Sequence, residues 1–160
     1  MLKLYRMSAS PKEYWETWEE TAERSLVHWG ILGTRGSTET VNSGFVRSAT
    51  SIIQAEINQL VTGGFTPIAP DDHVALMIEY SIEGGGSATD IDKRHRLEQR
   101  MNETLGWTGL GACDGGSIGS GSMEVCNFVV DFDIARQVIE DDLEGTEFAD
   151  YSRIYDESAR

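Results

Sequence analysis

The chain has 160 residues, 39% of them hydrophobic, with 13 Lys+Arg against 27 Asp+Glu and a formal charge of -14. A chain of this length buries roughly 70% of its unfolded surface on folding and builds a core without staples, and four Trp, five Tyr and five Phe exclude the disordered regime. The charge argues against general attraction to nucleic acid or anionic lipid and makes a positively charged partner the natural complement.

In chain order, residues 2–7, 12–19 and 24–29 alternate apolar and polar positions, with enough aromatics to predict short antiparallel strands. Gly30, Gly33 and Gly36 then punctuate the chain, and 37–42 reads as a fourth strand. A helix follows, because Phe45, Ala49, Ile53, Ile57 and Leu60 step by four, four, four and three, with Ile52 and Val61 widening the stripe. Ser43 is the expected N-cap, and Gly63-Gly64 supplies the left-handed stop. The first half is therefore a strand-rich sheet covered by one helix.

Thr66-Pro67-Ile68-Ala69-Pro70-Asp71-Asp72 can continue neither a helix nor a central strand, since proline lacks an amide hydrogen and forces its predecessor extended. The predicted domains are 1–68 and 73–160. Residues 1–70 hold 6 basic and 7 acidic residues, whereas residues 71–160 hold 7 and 20, so nearly all the acidity belongs to the second domain. There the pattern predicts strand 74–82, a Gly84-Gly85-Gly86 turn, helix 89–105, strand 107–113, a glycine-rich connection, strand 123–130, helix 133–143 capped by Asp133, and strand 150–156. That order is βαββαβ, the split-βαβ or ferredoxin-like pattern. The expected fold class is α+β.

Val27-His28-Trp29-Gly30-Ile31-Leu32-Gly33-Thr34-Arg35-Gly36 resembles the signature of the WGR domain, named for its Trp-Gly-Arg triplet. Tyr14-Trp15-Glu16 is similar to that family's aromatic strand, and the helix closing on Gly63-Gly64-Phe65 to its terminal helix and exit. The resemblance covers about residues 2–68. It implies a WGR-like sheet with one helix and, by analogy with poly(ADP-ribose) polymerases, a stacking role for Trp29 together with the arginine that follows the Trp-Gly pair. Ile31 occupies that arginine's position, leaving Arg35 as the nearby cation. A half-domain charge of -1 lacks the basic stripe of a phosphate binder, so the fold is expected and the DNA activity is not. Trp29 is either a core filler between sheet and helix or an exposed recognition residue.

Other constellations carry less chemistry. Residues 113–122 suggest a phosphate loop, but no Lys-Ser/Thr follows and Asp114 adds a repelling charge; the competing reading is a bulged hairpin whose tip is a contact loop. If that hairpin turns about Gly119-Ser120, Cys113 and Cys126 come opposite one another. His28, His73 and His95 have no metal-ligand spacing and read as ordinary, partly exposed side chains. No nucleophile elbow is present, so no catalytic residue, metal or cofactor is expected. Two cysteines without a CxxC pair indicate a reducing compartment. With no apolar leader at Met1-Leu2-Lys3-Leu4-Tyr5-Arg6 and no run of about 18 apolar residues, a cytoplasmic location without a membrane partner is expected.

The last signal is Glu140-Asp141-Asp142-x-Glu144, which crowds carboxylates onto a helix C-terminus, where the macrodipole already disfavours negative charge. Either this is solubilising surface or a basic partner docks there, unless a Lys or Arg of the same fold relieves the cost. The expected function is a non-catalytic acidic binding protein, an immunity protein that neutralises a bacterial nuclease toxin. The alternative is a WGR-type nucleic-acid or DNA-repair accessory protein. Trp29, Arg35, Asp114, Glu140, Asp141, Asp142 and Glu144 are the expected partner-binding residues.

Overall fold

The computed structural model describes residues 1–159 and divides into two compact units, Met1–Ala69 and Pro70–Arg160. In the first, strands β1 (Leu2–Arg6), β2 (Glu13–Thr21), β3 (Arg24–Ile31) and β4 (Ser37–Asn42) form an antiparallel sheet in chain order. The pleat sends alternate residues to opposite faces. Leu4, Trp15 and Val27 therefore share one face, over which helix α1 (Ala49–Thr62) lays Ile53, Ile57 and Leu60, with Phe65 closing the cluster. Burying an aliphatic or aromatic side chain of this size stabilises by about 1.5–3 kcal/mol, so this cluster is what fixes α1 to the sheet. The outer edge of β1 is closed by the segment after α1, because Tyr5 and Thr66 exchange both main-chain hydrogen bonds at 2.9 Å.

Helix α1 begins later than its apolar spacing predicts. Ser48 is the N-cap and accepts from the Ser51 amide, whereas Ser43 accepts from the Ala49 amide at 2.9 Å and so braces the turn ahead of the helix. A start at Ser43 would place Gly44 inside the helix at a cost of about 1 kcal/mol. Phe45 lies outside α1 and is fully exposed. The stop matches expectation: the Gly63 amide reaches Gln59, and Gly64 takes the left-handed conformation at φ 92°.

The second unit runs β5 (Val74–Ser81), α2 (Ala88–Trp107), β6 (Gly111–Gly119), β7 (Ser122–Val129), α3 (Phe132–Leu143) and β8 (Arg153–Asp156). Its sheet has the order β6-β7-β5-β8 with every pair antiparallel. Strand β7 thus lies between the two strands that α2 connects, which is the split-βαβ topology. Leu76, Ile78, Val125 and Val129 on one sheet face are fully buried, as are Leu97, Met101 and Leu105 of α2 and Ala135, Ile139 and Leu143 of α3.

Several boundaries differ from the sequence reading: α2 runs on through Gly106 to Trp107, where the pattern predicts the start of a strand. Strand β6 starts at Gly111 and runs through the glycine-rich stretch expected to be a connection. Glycine serves there because the β7 main chain lies close: a Cβ on Gly116 would overlap the Glu124 carbonyl, with the Glu98 and Arg94 side chains of α2 at 3.0 and 3.1 Å, and one on Gly111 would overlap the Phe128 carbonyl. The hairpin then turns on Ser120-Gly121, with φ 53° and 88°, the positive pair that a two-residue turn requires. Helix α3 is capped by Asp131, which accepts from the Ile134 amide at 3.0 Å, in place of Asp133. Finally, β8 begins at Arg153, shorter than the expected 150–156. Among the described residues, no helix is long and apolar enough to cross a membrane.

Candidate partner-binding site

Trp29 lies on the α1 side of the first sheet, in line with Val27 and Ile31. Val27 is under the helix and buried, whereas Trp29 and Ile31 emerge beyond the end of α1, exposed at 37% and 46%. With Trp15, Leu60 and Phe65 they line an apolar hollow of about 210 Å³ whose rim carries Glu13. Trp29 is therefore neither the buried core filler nor a fully exposed ring.

The opposite face of this sheet holds a buried polar network that no sequence spacing announced. His28 is completely buried. Its Nδ1 lies 2.7 Å from Glu16 Oε1 and its Nε2 2.6 Å from the Arg35 carbonyl, while the Tyr14 hydroxyl donates to the Thr34 carbonyl at 3.0 Å. Lys3 Nζ meets the other Glu16 oxygen at 2.9 Å. Burial, and secondarily the Glu16 charge, hold the Tyr14 phenol well above its usual range. The network clamps loop 32–36 onto β2 and β3. Gly30 and Gly36 permit the same closure, since a Cβ on Gly30 would come 2.7 Å from the Gly36 Cα. The expectation of ordinary, partly exposed histidines fails at His28. It also follows that the Arg35 main chain is anchored on the face opposite the Trp29 ring.

At the end of α3 the crowded carboxylates have different fates. Asp142 is taken by α2: Arg100 Nε reaches its Oδ2 at 2.7 Å, Arg100 Nη2 donates to its Oδ1 and its carbonyl, and the Thr104 hydroxyl adds a fourth bond. The hydrogen bond to Asp142, together with its charge, keeps the Arg100 guanidinium protonated beyond its normal range. Glu140 pairs with Arg136 one turn earlier at 2.8 Å, and Asp141 accepts from Gln137. The fold itself thus relieves much of the electrostatic cost at this helix end. Asp142 faces α2 and is engaged there by Arg100 and Thr104. Glu140, Asp141 and Glu144 remain together, lining with Gln137, Ala149 and Tyr151 a shallow depression of about 310 Å³.

Asp114 stands apart from both groups. It is the extra residue of a β-bulge, between Cys113, which faces Asn127, and Gly115, which faces Cys126. The bulge shifts the strand's phase, so Cys113 shares the helix-covered face with Asn127 while Cys126 lies on the other. The two cysteines are not cross-strand neighbours, and neither is in a disulfide. Burial pushes the Cys113 thiol up to about 11 and raises that of Cys126 as well, where Asp114, Glu157 and Glu124 add repulsion. Among the described residues, no group of three His, Cys, Asp or Glu side chains is placed to hold a metal ion.

In the second unit Lys93, Arg94, Arg96, Arg100, Arg136 and Arg153 all form ion pairs with carboxylates of the same unit. Seven basic residues cannot neutralise 20 acids, and the described ones are already engaged. The surface potential of this unit is correspondingly negative. Comparison with protein-family models, curated proteins and solved structures finds no match for the chain.

Proposed function

We propose that this protein is a non-catalytic acidic binding protein, an immunity protein that neutralises a DNA-cleaving antibacterial toxin by occupying its cationic groove. The observation that carries the reading is the pairing pattern of the second unit: its described basic side chains are each tied to a carboxylate of the same unit, and the acid excess is left facing outward. A nuclease must present a basic surface to phosphates. An anionic face of defined shape competes for that surface, and complementary fields accelerate the encounter by one to three orders of magnitude. Glu140, Asp141 and Glu144, with Asp114, are the contact residues of this reading.

The test is to co-express the chain with the product of the neighbouring gene and to measure that product's DNA cleavage. The expected result is stoichiometric inhibition that weakens with salt and an Asp141→Lys/Glu144→Lys variant that associates at least about tenfold more slowly. Cleavage unaffected by excess chain would overturn the proposal.

The second reading is a nucleic-acid accessory protein built on a WGR-like first unit, and the half-exposed Trp29 is what favours it. The four-stranded meander followed by one helix supports the family resemblance. Retardation of duplex DNA at low salt, weakened in Trp29→Ala, would select this reading; no retardation is expected under the first.

A further inference from the structure

The second sheet has two unlike faces. One is covered by α2 and α3. The other carries Ala75, Met77 and Glu79 of β5, Glu124, Cys126 and Phe128 of β7, and Arg153 and Tyr155 of β8, positions fixed by the register Glu79↔Glu124, Met77↔Cys126 and Ala75↔Phe128 across the centre of the sheet. Along one side of this face the polar groups bind one another: Arg153 makes two hydrogen bonds to Glu79 and stacks over Tyr155 at 4.2 Å, and the Tyr155 hydroxyl donates to Glu124 at 2.7 Å. The rest is apolar. Phe128 is exposed at 41% although it lies on an inner strand, because its flanking partners, Ala75 and Ala112, are too small to cover it. Next to it Gly115 opposes Cys126, and nothing lies within 4 Å of where a Gly115 side chain would begin. The ring therefore stands beside open space over Gly115. Asp114 precedes Gly115 at the bulge, and Glu124 lies two residues before Cys126 on the same strand face; with Glu157 they are the carboxylates whose charge acts on Cys126.

We infer that this open face, centred on Phe128 and the open space over Gly115 and flanked by Asp114, Glu124 and Glu157, docks a segment of a basic protein in which an aromatic or aliphatic side chain is flanked by lysines or arginines. This rests on the reading of the chain as an acidic binding protein and gives it a second contact surface, on the sheet face that α3 does not cover, in addition to the Glu140, Asp141 and Glu144 cluster. An apolar centre that excludes water inside a charged rim is the anatomy of an energetically productive contact. Charge selects the occupant. A second copy would bring the three carboxylates against their own images, and a nucleic acid would add phosphates to them, whereas a cationic segment gains from them. Arg153, the basic side chain that register places on this face, is bonded to Glu79, and its charge also reaches Glu124, so Asp114 and Glu157 are the flanking carboxylates left for an incoming cation.

The test uses the full chain and a fluorescein-labelled peptide, Lys-Lys-Leu-Phe-Lys-Lys, read by anisotropy at low salt, with hexalysine and Glu-Glu-Leu-Phe-Glu-Glu as controls. The expected order is at least about fivefold tighter binding of the first peptide than of hexalysine and none of the acidic one. Phe128→Ser, which leaves the net charge untouched, is expected to weaken the first peptide about tenfold while leaving hexalysine unchanged, with circular dichroism confirming that the variant is folded. Equal binding of both cationic peptides, or equal binding to wild type and Phe128→Ser, would overturn the inference. So would a dimer in sedimentation that Phe128→Ser dissociates, since the occupant would then be a second copy. The underlying functional reading fails differently: a chain that binds the peptide through Phe128 yet inhibits no nuclease keeps the face and loses the toxin, and one whose inhibition survives Phe128→Ser keeps the toxin and loses the face.

Discussion

His28 shows how much one side chain holds in the first unit. Its replacement by alanine removes a fully buried ring, opens a void, and strips the Glu16 carboxylate and the Arg35 carbonyl of a partner at once. Cavity formation and an orphaned buried acceptor together cost about 3 kcal/mol, which urea unfolding would register as a lower midpoint at unchanged slope. Tyr14→Phe removes the hydroxyl that donates to the Thr34 carbonyl and lies 3.0 Å from His28 Nε2, and should cost about 1 kcal/mol or more. Cys113 offers a pH test. Its folded thiol lies at about 11, above the ordinary 9.0, because it is half-buried. The unfolded thiol ionises first, so this contribution to stability is complete below pH 9 and is lost as pH rises toward 11. Alkylation of the native chain by iodoacetamide should therefore be slow at neutral pH and accelerate only toward pH 11, reporting a thiol that is not poised for chemistry.

At the scale of elements, caps and counter-charges decide where helices start and which acids remain available. Helix α2 opens with a capping box in which Ser87 accepts from the Asp90 amide and Asp90 accepts from the Ser87 amide at 2.7 Å. Ser87→Ala should cost about 1 kcal/mol. The Ser87 hydrogen bonds keep the Asp90 carboxyl below its usual value of 3.8, so the stabilisation is complete above that pH and is lost as pH falls through the lower folded value; the wild-type advantage over Ser87→Ala should shrink there. On α3, Asp142→Asn should reduce stability while Asp141→Asn does not, because only Asp142 is engaged by Arg100 and Thr104. Thermal melts of both variants check this. The same contrast explains a limit of sequence reading. The crowding at 140–144 was legible as an electrostatic cost, but its relief came from a residue 42 positions away in the chain, which no local pattern shows.

For the molecule as a whole, two compact units with separate sheets predict that residues 1–69 and 70–160, expressed separately, each unfold cooperatively in thermal circular dichroism; a non-cooperative melt of either piece would contradict this. The second piece should carry nearly all of the chain's affinity for a cationic partner, since it holds 20 of the 27 acids.

What the sequence by itself determined was the α+β class, the number and order of strands and helices, the antiparallel strands of the first half under one helix, and the split-βαβ order. These follow from periodicity and from proline and glycine punctuation, which act over a few residues. Tertiary structure alone decided which residues of a motif face which way. Trp29 and Arg35 stand six apart yet anchor on opposite faces of one sheet, because a buried histidine holds the intervening loop across the other side. Cys113 and Cys126 part company because the hairpin turns on Ser120-Gly121, one residue later than expected, and one bulged aspartate reverses the alternation. Asp142 is withdrawn and Phe128 exposed for the same physical reason: a side chain's availability depends on what the rest of the chain packs against it, and that sum is made only when distant segments meet.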